Sequence, residues 1–296
     1  MRGPAELPPA HTWHPLVARA LEEDVGPGDV SSALVIPASL RGSAVIEARQ
    51  ALVVCGLDVA RAVFAALDPE LEFERGAPDG ERVQAGAVIA HIRGPLRPLL
   101  AGERAALNFL MRLCGVASFT RRFVEAISGC RALILDTRKT LPGWRALDKY
   151  ATAVGGAHNH RFGLYDGILL KDNHVAAAGG VALAVKAALA GRADHLRVQV
   201  EVESLGDALA AVEAGADSLL LDNMDVDAIR EVVEQLGSRV LLEVSGGVRL
   251  ENVRRLAETG VHRISIGALT HSAPAADVAL EIAHGPGATP PGGAAA

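Results

Sequence analysis

Polar residues crowd the end of an apolar segment in the stretch ILDTRKTLPGWRALDKY, residues 134–150. The polar run comprises Asp136, Thr137, Arg138, Lys139 and Thr140. Arginine presents a planar fork that suits carboxylates, whereas lysine is a compact point charge that suits phosphates. Adjacent cations and hydroxyls at the end of a buried strand therefore predict a binding site for small anions.

More basic residues follow in the motifs HNHR and KDNH, which supply His160, Arg161 and Lys171. We group these three with Arg138 and Lys139 as the cationic sector. Taken alone, each is as well explained by a solvated surface loop. Together they indicate a site for an anion that carries more than one negative group.

Two carboxylates, Glu201 and Asp222, end two successive apolar segments further along the chain. Magnesium favours one or two carboxylates together with substrate phosphates, so this pair predicts an Mg²⁺ site reached through water or substrate. The alternative is that both side chains hydrogen-bond neighbouring loops. Glu203 lies two residues beyond Glu201 and is expected on the same face of the chain.

Glycine follows an apolar segment twice near the end of the chain, in VSGGV (244–248) and SIGAL (265–269). Such turns expose backbone N–H groups ahead of a helix, which is a ready site for phosphate. In α/β barrels the loops after the last two strands often bind a phosphate. The pair of glycine turns therefore predicts a phosphate site.

Composition and charge argue against a nucleic-acid-binding protein and a membrane-spanning protein. The 296 residues are 50% hydrophobic, enough for one or two domains, and the net charge of −6 argues against a general nucleic-acid surface. Residues 131–174 nevertheless hold seven Lys and Arg against four acids. Three scattered cysteines predict buried thiols rather than disulfides or zinc, and no apolar run is long enough to span a bilayer. We expect a cytoplasmic protein that binds a small anion.

The elements that position these residues follow from an alternation of apolar and Ala-rich segments after residue 131. The strand candidates are 132–135, 167–170, 197–202, 218–221, 240–244 and 263–266. Strands that alternate with helices indicate a parallel sheet, either a closed barrel or an open doubly wound sheet. In a barrel the carboxyl ends of the strands share one face, and most of the polar residues above lie at or just after strand ends.

The first part of the chain has the pattern of a mixed α+β domain, with a long helix from about 98 to 127. The Pro-rich start, residues 1–11, and the low-complexity tail, residues 285–296, are predicted to be flexible.

These motifs resemble one family in order and spacing. DTRKTLPGWRALDKYA, GGAHNHRFGLYDGILLKDNH, EVEVES, LLLDNM, EVSGGV and SIGALTHSAPAADV are similar to quinolinate phosphoribosyltransferase, the carboxylating nicotinate-nucleotide pyrophosphorylase. The resemblance covers about residues 15–284. It implies an incomplete α/β barrel of the seven-stranded type at 116–273, preceded by a mixed α+β domain at 12–115. A C-terminal helix at 274–284 is expected to return to the first domain.

The resemblance also implies a reaction. The enzyme transfers the 5-phosphoribosyl group of phosphoribosyl diphosphate to quinolinate with decarboxylation, which gives nicotinate mononucleotide, CO₂ and diphosphate in de novo NAD synthesis. Arg138, Arg161, His160 and Lys171, with Thr137, would orient quinolinate. Lys139 would hold the diphosphate, and Glu201 and Asp222 the ribose or Mg²⁺. The 5-phosphate cradle would comprise Ser245, Gly246, Gly247, Ile266, Gly267 and Ala268, with His271 nearby.

Catalysis is expected from Lys139, Lys171, Glu201 and Asp222, without a side-chain nucleophile. The resemblance further implies a homodimer in which Arg104 of GERAALNF reaches the site of the neighbouring subunit. From spacing alone, Arg104 is a solvated helix cation.

Three other interpretations fit parts of the sequence. A homologous barrel, such as the transferase-like protein found with molybdate uptake, could act on another aromatic acid. Lys171 at a strand end could form a Schiff base in an aldolase-type barrel. The stretch DGERVQAGAVIAHIRGP could be a biotinyl- or lipoyl-like carrier module, although its turn lacks the lysine that such modules modify.

Overall fold

The structure, a computed structural model, describes residues 5–283. It divides into two compact units. Within the described residues, the first comprises 5–119, 142–155 and 273–283, and the second comprises Thr120–Leu141 and Gly156–Ser272. The predicted flexible tail, residues 285–296, lies outside the described residues.

The first unit is a mixed α+β unit, as its sequence pattern predicts. After a short 3-10 helix (Ala10–Thr12), its helices are α1 His14–Asp24, α2 Val30–Val35, α3 Leu57–Leu67, α4 Leu96–Ala126, which continues into the second unit, and α5 Arg145–Val154. Its strands are β1 Arg41–Ala48, β2 Leu52–Val53, β3 Glu72–Arg75, β4 Arg82–Val83, β5 Val88–Pro95 and β12 Val278–Ala283.

A four-stranded antiparallel sheet in the order β12-β1-β5-β3 carries the core of this unit. The stretch that resembles a carrier module supplies β4 and β5, and β5 lies between β1 and β3 in this sheet. It is therefore an integral part of the unit. Phe64, Leu99 and Leu110 are fully buried in the same hydrophobic cluster.

The predicted C-terminal helix at 274–284 is wrong, because Val278–Ala283 forms strand β12 and pairs with β1. In this segment Val278, Leu280 and Ile282 alternate with Ala and Glu, which is the period of a strand rather than of a helix. Val278 and Leu280 are buried in the cluster of the first unit. The alanines favour a helix locally, and the free edge of β1 overrides them.

Two other boundaries differ from the prediction. Residues 142–155, predicted within the barrel, belong to the first unit because α5 buries Leu147 and Ala151 in its core. Of the predicted flexible arm 1–11, the described part packs against that core through Leu7, and the Trp13 indole donates a hydrogen bond to the Pro8 carbonyl at 2.9 Å.

The second unit is the predicted α/β barrel, and its strands and helices alternate along the chain. Its strands are β6 Leu133–Leu135, β7 Ile168–Leu170, β8 Val198–Val202, β9 Ser218–Asp222, β10 Leu241–Ser245 and β11 Arg263–Ser265. Its helices are α6 Asp172–Ala178, α7 Val181–Gly191, α8 Leu205–Glu213, α9 Val226–Leu236, α10 Leu250–Ala257 and α11 Ala268–His271.

The six strands form one parallel sheet in the order β6-β11-β10-β9-β8-β7. The chain pairs once more beside β6, where His158 forms a parallel bridge with Leu135. Among the described residues β7 and the His158 segment make no ladder with each other, so the barrel is incomplete. The incomplete barrel expected from the sequence is confirmed.

Within residues 5–283 no single helix is long and apolar enough to cross a membrane. Helices α6 and α7 reach that length and apolar composition only when taken together, and the pair is bent by 92°.

Candidate active site

The cationic sector is held together by a buried aspartate at the end of β6. Asp136 accepts hydrogen bonds from the His160 N–H at 2.7 Å and from the Asn159 amide at 2.9 Å. The His158 N–H donates to the Ile134 carbonyl and the Asp136 N–H donates to the His158 carbonyl, so the two segments run side by side. The TRKT and HNHR motifs therefore meet because Asp136 fastens one to the other.

Arg138 and Arg161 supply the two guanidinium groups of the sector. The Nε of Arg138 is buried and has no hydrogen-bond partner within the described part of the chain. Arg161 Nη1 donates to the Gly167 carbonyl at 2.9 Å, which fixes the direction of its side chain. Burial, reinforced by the nearby Arg138 charge, lowers the pKa of Arg161. An anion bound between the two arginines would give the Arg138 Nε an acceptor and would offset the burial and repulsion that lower the pKa of Arg161.

His160 is enclosed by protein groups at both ring nitrogens. Its Nδ1 accepts a hydrogen bond from the Arg161 N–H at 2.8 Å, and its Nε2 lies 3.3 Å from Glu243 Oε1. Glu243 is buried on β10 and also accepts from the Gln199 amide at 3.1 Å.

The carboxylates lie at the carboxyl ends of the neighbouring strands β8 and β9. Lys171 Nζ lies 3.3 Å from Glu201 Oε2, so this lysine is an ion-pair partner of the first carboxylate. Asp222 Oδ2 accepts a hydrogen bond from the Asn223 amide at 2.7 Å. Asn223 has a φ of +52°, a left-handed backbone conformation that asparagine tolerates better than most residues.

Side chains closely approach the glycine backbone in both turns that follow the last two strands of the barrel. A Cβ at Gly267 would lie 2.9 Å from Lys139 Cδ, and a Cβ at Gly246 would lie 2.2 Å from Asn223 Oδ1. Gly246 also has a φ of +92°. The Thr270 hydroxyl donates to the Lys139 carbonyl at 2.8 Å, which ties α11 to the TRKT loop. Both turns thus bring backbone close to polar or charged side chains.

One cavity of about 720 Å³ in the barrel unit unites these features. Its charged lining consists of five cations and two carboxylates, Arg138, Lys139, Arg161, Lys171 and Arg249 against Glu201 and Asp222. The cavity therefore carries a formal excess of three positive charges, in a chain whose net charge is −6. Such a focused field attracts small anions.

The structure brings together every predicted site residue of the barrel. Those that line the cavity are Thr137, Arg138, Lys139, His160, Arg161, Lys171, Glu201, Asp222, Ser245, Gly246, Gly247, Ile266, Gly267, Ala268 and His271. Arg104 lies in the first unit and is not among the lining residues. It is exposed on α4, and in the described part of the chain its side chain makes no hydrogen bond or ion pair.

Sequence reasoning missed several lining residues. Leu169, Leu220 and Ser265 face the cavity from within the strands, and Val248 and Arg249 follow the SGG turn. Alternation from the strand-end residues identifies Leu169 and Leu220, which precede Lys171 and Asp222 by two positions. Arg249 was signalled only by its place directly after the glycine turn.

Glu201 and Asp222 fit a magnesium ion that arrives with its substrate. Both line the cavity from adjacent strands, and Val202, the last residue of β8, is paired with Leu221, just before Asp222. No group of three or more His, Cys, Asp or Glu able to hold a metal occurs among residues 5–283. Two carboxylates plus substrate oxygens is the donor set that Mg²⁺ favours.

An incomplete α/β barrel with a cationic cavity and paired glycine turns at the carboxyl ends of its strands defines an enzyme that binds phosphorylated anions. The particular family follows from comparison with known proteins. The family model described as "Quinolinate phosphoribosyl transferase, C-terminal domain" matches residues 116–281, and its N-terminal counterpart matches residues 29–114. The chain belongs to this family, as its motifs predict, and is a phosphoribosyltransferase.

Individual relatives agree over nearly the whole chain. The "Probable nicotinate-nucleotide pyrophosphorylase", carboxylating, of Bacillus subtilis (strain 168) is 38% identical over 260 residues, which cover 88% of this chain and 90% of its own. Among solved structures, NadC from Streptococcus pyogenes is 38% identical with a TM-score of 0.89, covering 93% of this chain and 99% of its own. The nicotinate-nucleotide pyrophosphorylase from Francisella tularensis is 36% identical with a TM-score of 0.90, covering 96% and 100%.

Proposed function

We propose that the chain transfers the 5-phosphoribosyl group of phosphoribosyl diphosphate to the ring nitrogen of quinolinate, with loss of the 2-carboxylate, in de novo NAD synthesis. Family membership supports this reaction. The observation that carries it in this chain is the buried, unpaired Nε of Arg138 beside Arg161 in a cavity with excess positive charge. Leaving such a donor unpaired is costly, and a bound carboxylate would satisfy it.

Quinolinate would be oriented in the cationic sector. It carries two adjacent carboxylates, and Arg138, Arg161 and Lys171 line the cavity with the Thr137 hydroxyl. The two guanidinium groups can each bind a carboxylate bidentately, which fixes the plane of the pyridine ring. The role of these residues is to hold the ring nitrogen towards the sugar.

Phosphoribosyl diphosphate would occupy the remainder of the cavity. Its 5-phosphate suits the turns at Gly246 and Gly267, with His271 nearby, because these turns expose backbone N–H groups. Lys139 would hold the diphosphate, and Glu201 and Asp222 would accept hydrogen bonds from the ribose hydroxyls. Glu201 and Asp222 would also hold Mg²⁺, which would supply positive charge to stabilise the leaving diphosphate.

The bond changes need no side-chain nucleophile. As the C1–O bond breaks, diphosphate leaves with the electron pair and the ring nitrogen forms a bond to C1 of an oxocarbenium-like ribose. Lys139 and Lys171 stabilise negative charge that is present on the substrates and grows on the leaving group. The bond from C2 to the carboxylate then breaks, the pyridinium stabilises the electron pair at C2, and a proton adds there.

The experiment that tests this proposal is a product assay with phosphoribosyl diphosphate and either quinolinate or nicotinate, with and without Mg²⁺. We expect nicotinate mononucleotide from quinolinate, dependent on Mg²⁺, and no turnover of nicotinate. Turnover of nicotinate with quinolinate inert would overturn the assignment of the substrate. Equal rates of quinolinate turnover with and without a metal chelator would overturn the role of magnesium.

We also propose a cytoplasmic homodimer in which Arg104 of one subunit completes the quinolinate pocket of the other. Arg104 and Asn108, one turn apart on α4, are both exposed, whereas Ala105 and Ala106 are buried in the core of the first unit. The side chain of Arg104 therefore points away from that core and is available to a partner. A self-complementary dimer would contain two such shared sites.

A further inference from the structure

The ring of His160 has no nitrogen left for a substrate in this arrangement. Its Nδ1 accepts the Arg161 N–H at 2.8 Å, and a nitrogen that accepts a hydrogen bond carries no proton. The single proton of a neutral ring is then on Nε2, which lies 3.3 Å from Glu243 Oε1. The hydrogen bond at Nδ1 and the 3.3 Å contact at Nε2 assign the Nε2–H tautomer.

Glu243 is placed to hold that proton. Alternation along β10 puts Glu243 on the same face as Ser245, one layer below the cavity mouth, where its side chain is 2% exposed. Burial raises the pKa of Glu243, but hydrogen bonds from His160, Gln199 and Ser265 outweigh burial and lower it below its ordinary value. Its Oε1 is buried, and His160 Nε2 approaches it at 3.3 Å.

We propose that His160 is a neutral positioning residue, its proton held at Nε2 by Glu243, that orients the backbone of Arg161 instead of binding a substrate carboxylate through its ring. This inference rests on the proposed function for the identity of the substrate. The two N–H groups of this turn are both fixed, that of His160 by Asp136 and that of Arg161 by His160 Nδ1. With its Nη1 bonded to Gly167, Arg161 is thereby held at both ends.

The charges around the His160 ring determine how quinolinate affinity should change with pH, and the direction of that change distinguishes a positioning residue from a cationic ligand. Glu243 faces the ring from β10, Asp136 at the end of β6 accepts a hydrogen bond from the backbone N–H of His160, and the cavity lining carries the carboxylates Glu201 and Asp222. The lining cations are Arg138, Lys139, Arg161, Lys171 and Arg249. A protonated His160 would add attraction for quinolinate, yet it would place an Nδ1–H against the Arg161 N–H and break that hydrogen bond. Protonation therefore disrupts the site if His160 positions Arg161, and strengthens binding if His160 is a cationic ligand.

The direct test is NMR of the full-length protein labelled with ¹⁵N-histidine, at about pH 7, where an unperturbed histidine is mostly neutral. The chain has ten histidines, and the spectrum of His160→Asn identifies the missing pair of resonances. We expect a pyridine-like Nδ1 and a pyrrole-like Nε2. Two pyrrole-like nitrogens, or the opposite tautomer, would overturn the proposal. This result does not depend on turnover, so it is distinguishable from a failure of the proposed function.

Calorimetry of quinolinate binding separates positioning from charge. In His160→Asn the amide oxygen of the new side chain can replace Nδ1 as the acceptor, so only the contact of Nε2 with Glu243 is lost. We therefore expect an affinity for quinolinate within about fivefold of wild type, because one neutral hydrogen bond is worth about that factor. His160→Ala and His160→Lys should each lose at least about twentyfold. Rescue by lysine with failure of asparagine would contradict the proposal. So would a wild-type affinity that rises relative to His160→Asn between about pH 8 and about pH 6.

Glu243→Gln tests the partner of His160. It should raise the KM for quinolinate by about five- to tenfold and leave the KM for phosphoribosyl diphosphate within about twofold, because only the cationic sector is disturbed. An equal rise in both KM values, with an unchanged melting temperature, would mean that Glu243 supports the whole cavity and does not act through His160. If this variant fails to fold, the NMR measurement on the wild-type chain still decides the question.

Discussion

At the scale of single residues, the most informative group is the Arg138 guanidinium. Buried polar atoms in folded proteins nearly always have a partner, so the orphaned Nε of Arg138 marks a place where a ligand belongs. The pKa of Arg161 also indicates a missing anion, because burial and the neighbouring Arg138 charge lower it. Two arginines held close without a carboxylate between them indicate that the anion comes from the substrate.

We predict that Arg138→Ala and Arg161→Ala each weaken quinolinate binding by about 2–5 kcal/mol, because each loses a bidentate partner for a desolvated carboxylate. The measurement is calorimetry with quinolinate. Arg230→Ala is the matched control, since Arg230 is exposed on α9 and pairs only with Asp227 on its own helix. Wild-type affinity in either site variant would show that the cationic sector does not bind quinolinate.

How far the sequence predicts the site depends on where a residue stands. Arg138, Lys171, Glu201 and Asp222 lie at or just after strand ends, so the rule that barrel chemistry lies at those ends is enough to group them. Glu243 lies inside a strand, and its VSGG context gives no sign that it faces His160. Contacts across the barrel between β10 and the HNHR loop depend on closure of the sheet, which no local pattern encodes.

At the scale of elements, adjacent parallel strands decide how the site is divided. Glu201 lies near the end of β8 and Asp222 ends β9, one and two strands beyond the Lys171 loop in the sheet order. The glycine turns follow β10 and β11 on the far side. The order of strands therefore places the carboxylates between the Lys171 loop and the proposed phosphate cradle.

We predict that Glu201→Gln and Asp222→Asn raise the apparent KM for phosphoribosyl diphosphate by at least about tenfold, because each loses a charge-assisted contact worth about 1.5–3 kcal/mol. Quinolinate binding should change by less than about threefold, and the Mg²⁺ dependence should weaken. Steady-state kinetics at varied Mg²⁺ make the measurement. Glu203→Gln is the control, since Glu203 is exposed and does not line the cavity. An unchanged KM for the diphosphate in both variants would refute this division.

Helix α5 shows why sequence order does not reveal the unit to which an element belongs. Its apolar face packs in the first unit, and its Asp148 is 0% exposed and bonded to Arg112 through Nη2 at 2.9 Å. Sequence order suggested the barrel, because α5 follows the TRKT loop directly. The same limitation hid β12, whose alanines favour a helix until the edge of β1 is present. Long-range pairing overrides local preference in both cases.

We predict that Asp148→Ala lowers the free energy of unfolding by about 3–5 kcal/mol, because it removes a buried carboxylate that pairs with the largely buried Arg112 guanidinium. Urea unfolding monitored by circular dichroism makes the measurement. The control is Asp227→Ala, which removes an exposed ion pair on α9 and should cost less than about 1 kcal/mol. Equal losses in the two variants would show that the Arg112–Asp148 pair has no special role in stability.

At the scale of the whole molecule, the site as described is missing one predicted component. The cavity is built from the barrel unit alone, while Arg104 lies exposed and unpaired on α4 within the described part of the first unit. A functional dimer would explain why an arginine flanked by core residues is kept free. This claim concerns assembly, so a test on a single chain cannot decide it.

We predict that inactive Arg104→Ala and inactive Lys139→Ala chains regain activity when mixed. A mixed dimer has one site with both defects and one intact site, so random exchange should restore about a quarter of wild-type activity. Native mass spectrometry must show that subunits have exchanged, and chains that carry both substitutions serve as the control. If exchange occurs without recovery, Arg104 does not act across a subunit interface.

The most direct measurement of the central claim follows the fate of the 2-carboxylate. With quinolinate labelled by ¹³C at that carboxylate, phosphoribosyl diphosphate and Mg²⁺, the account predicts that labelled CO₂, nicotinate mononucleotide and diphosphate appear in equal amounts. Omission of either substrate should abolish all three products. Lys139→Ala should reduce them together, because transfer precedes decarboxylation. Label that remains in the nucleotide product, or CO₂ released without phosphoribosyl diphosphate, would contradict the account.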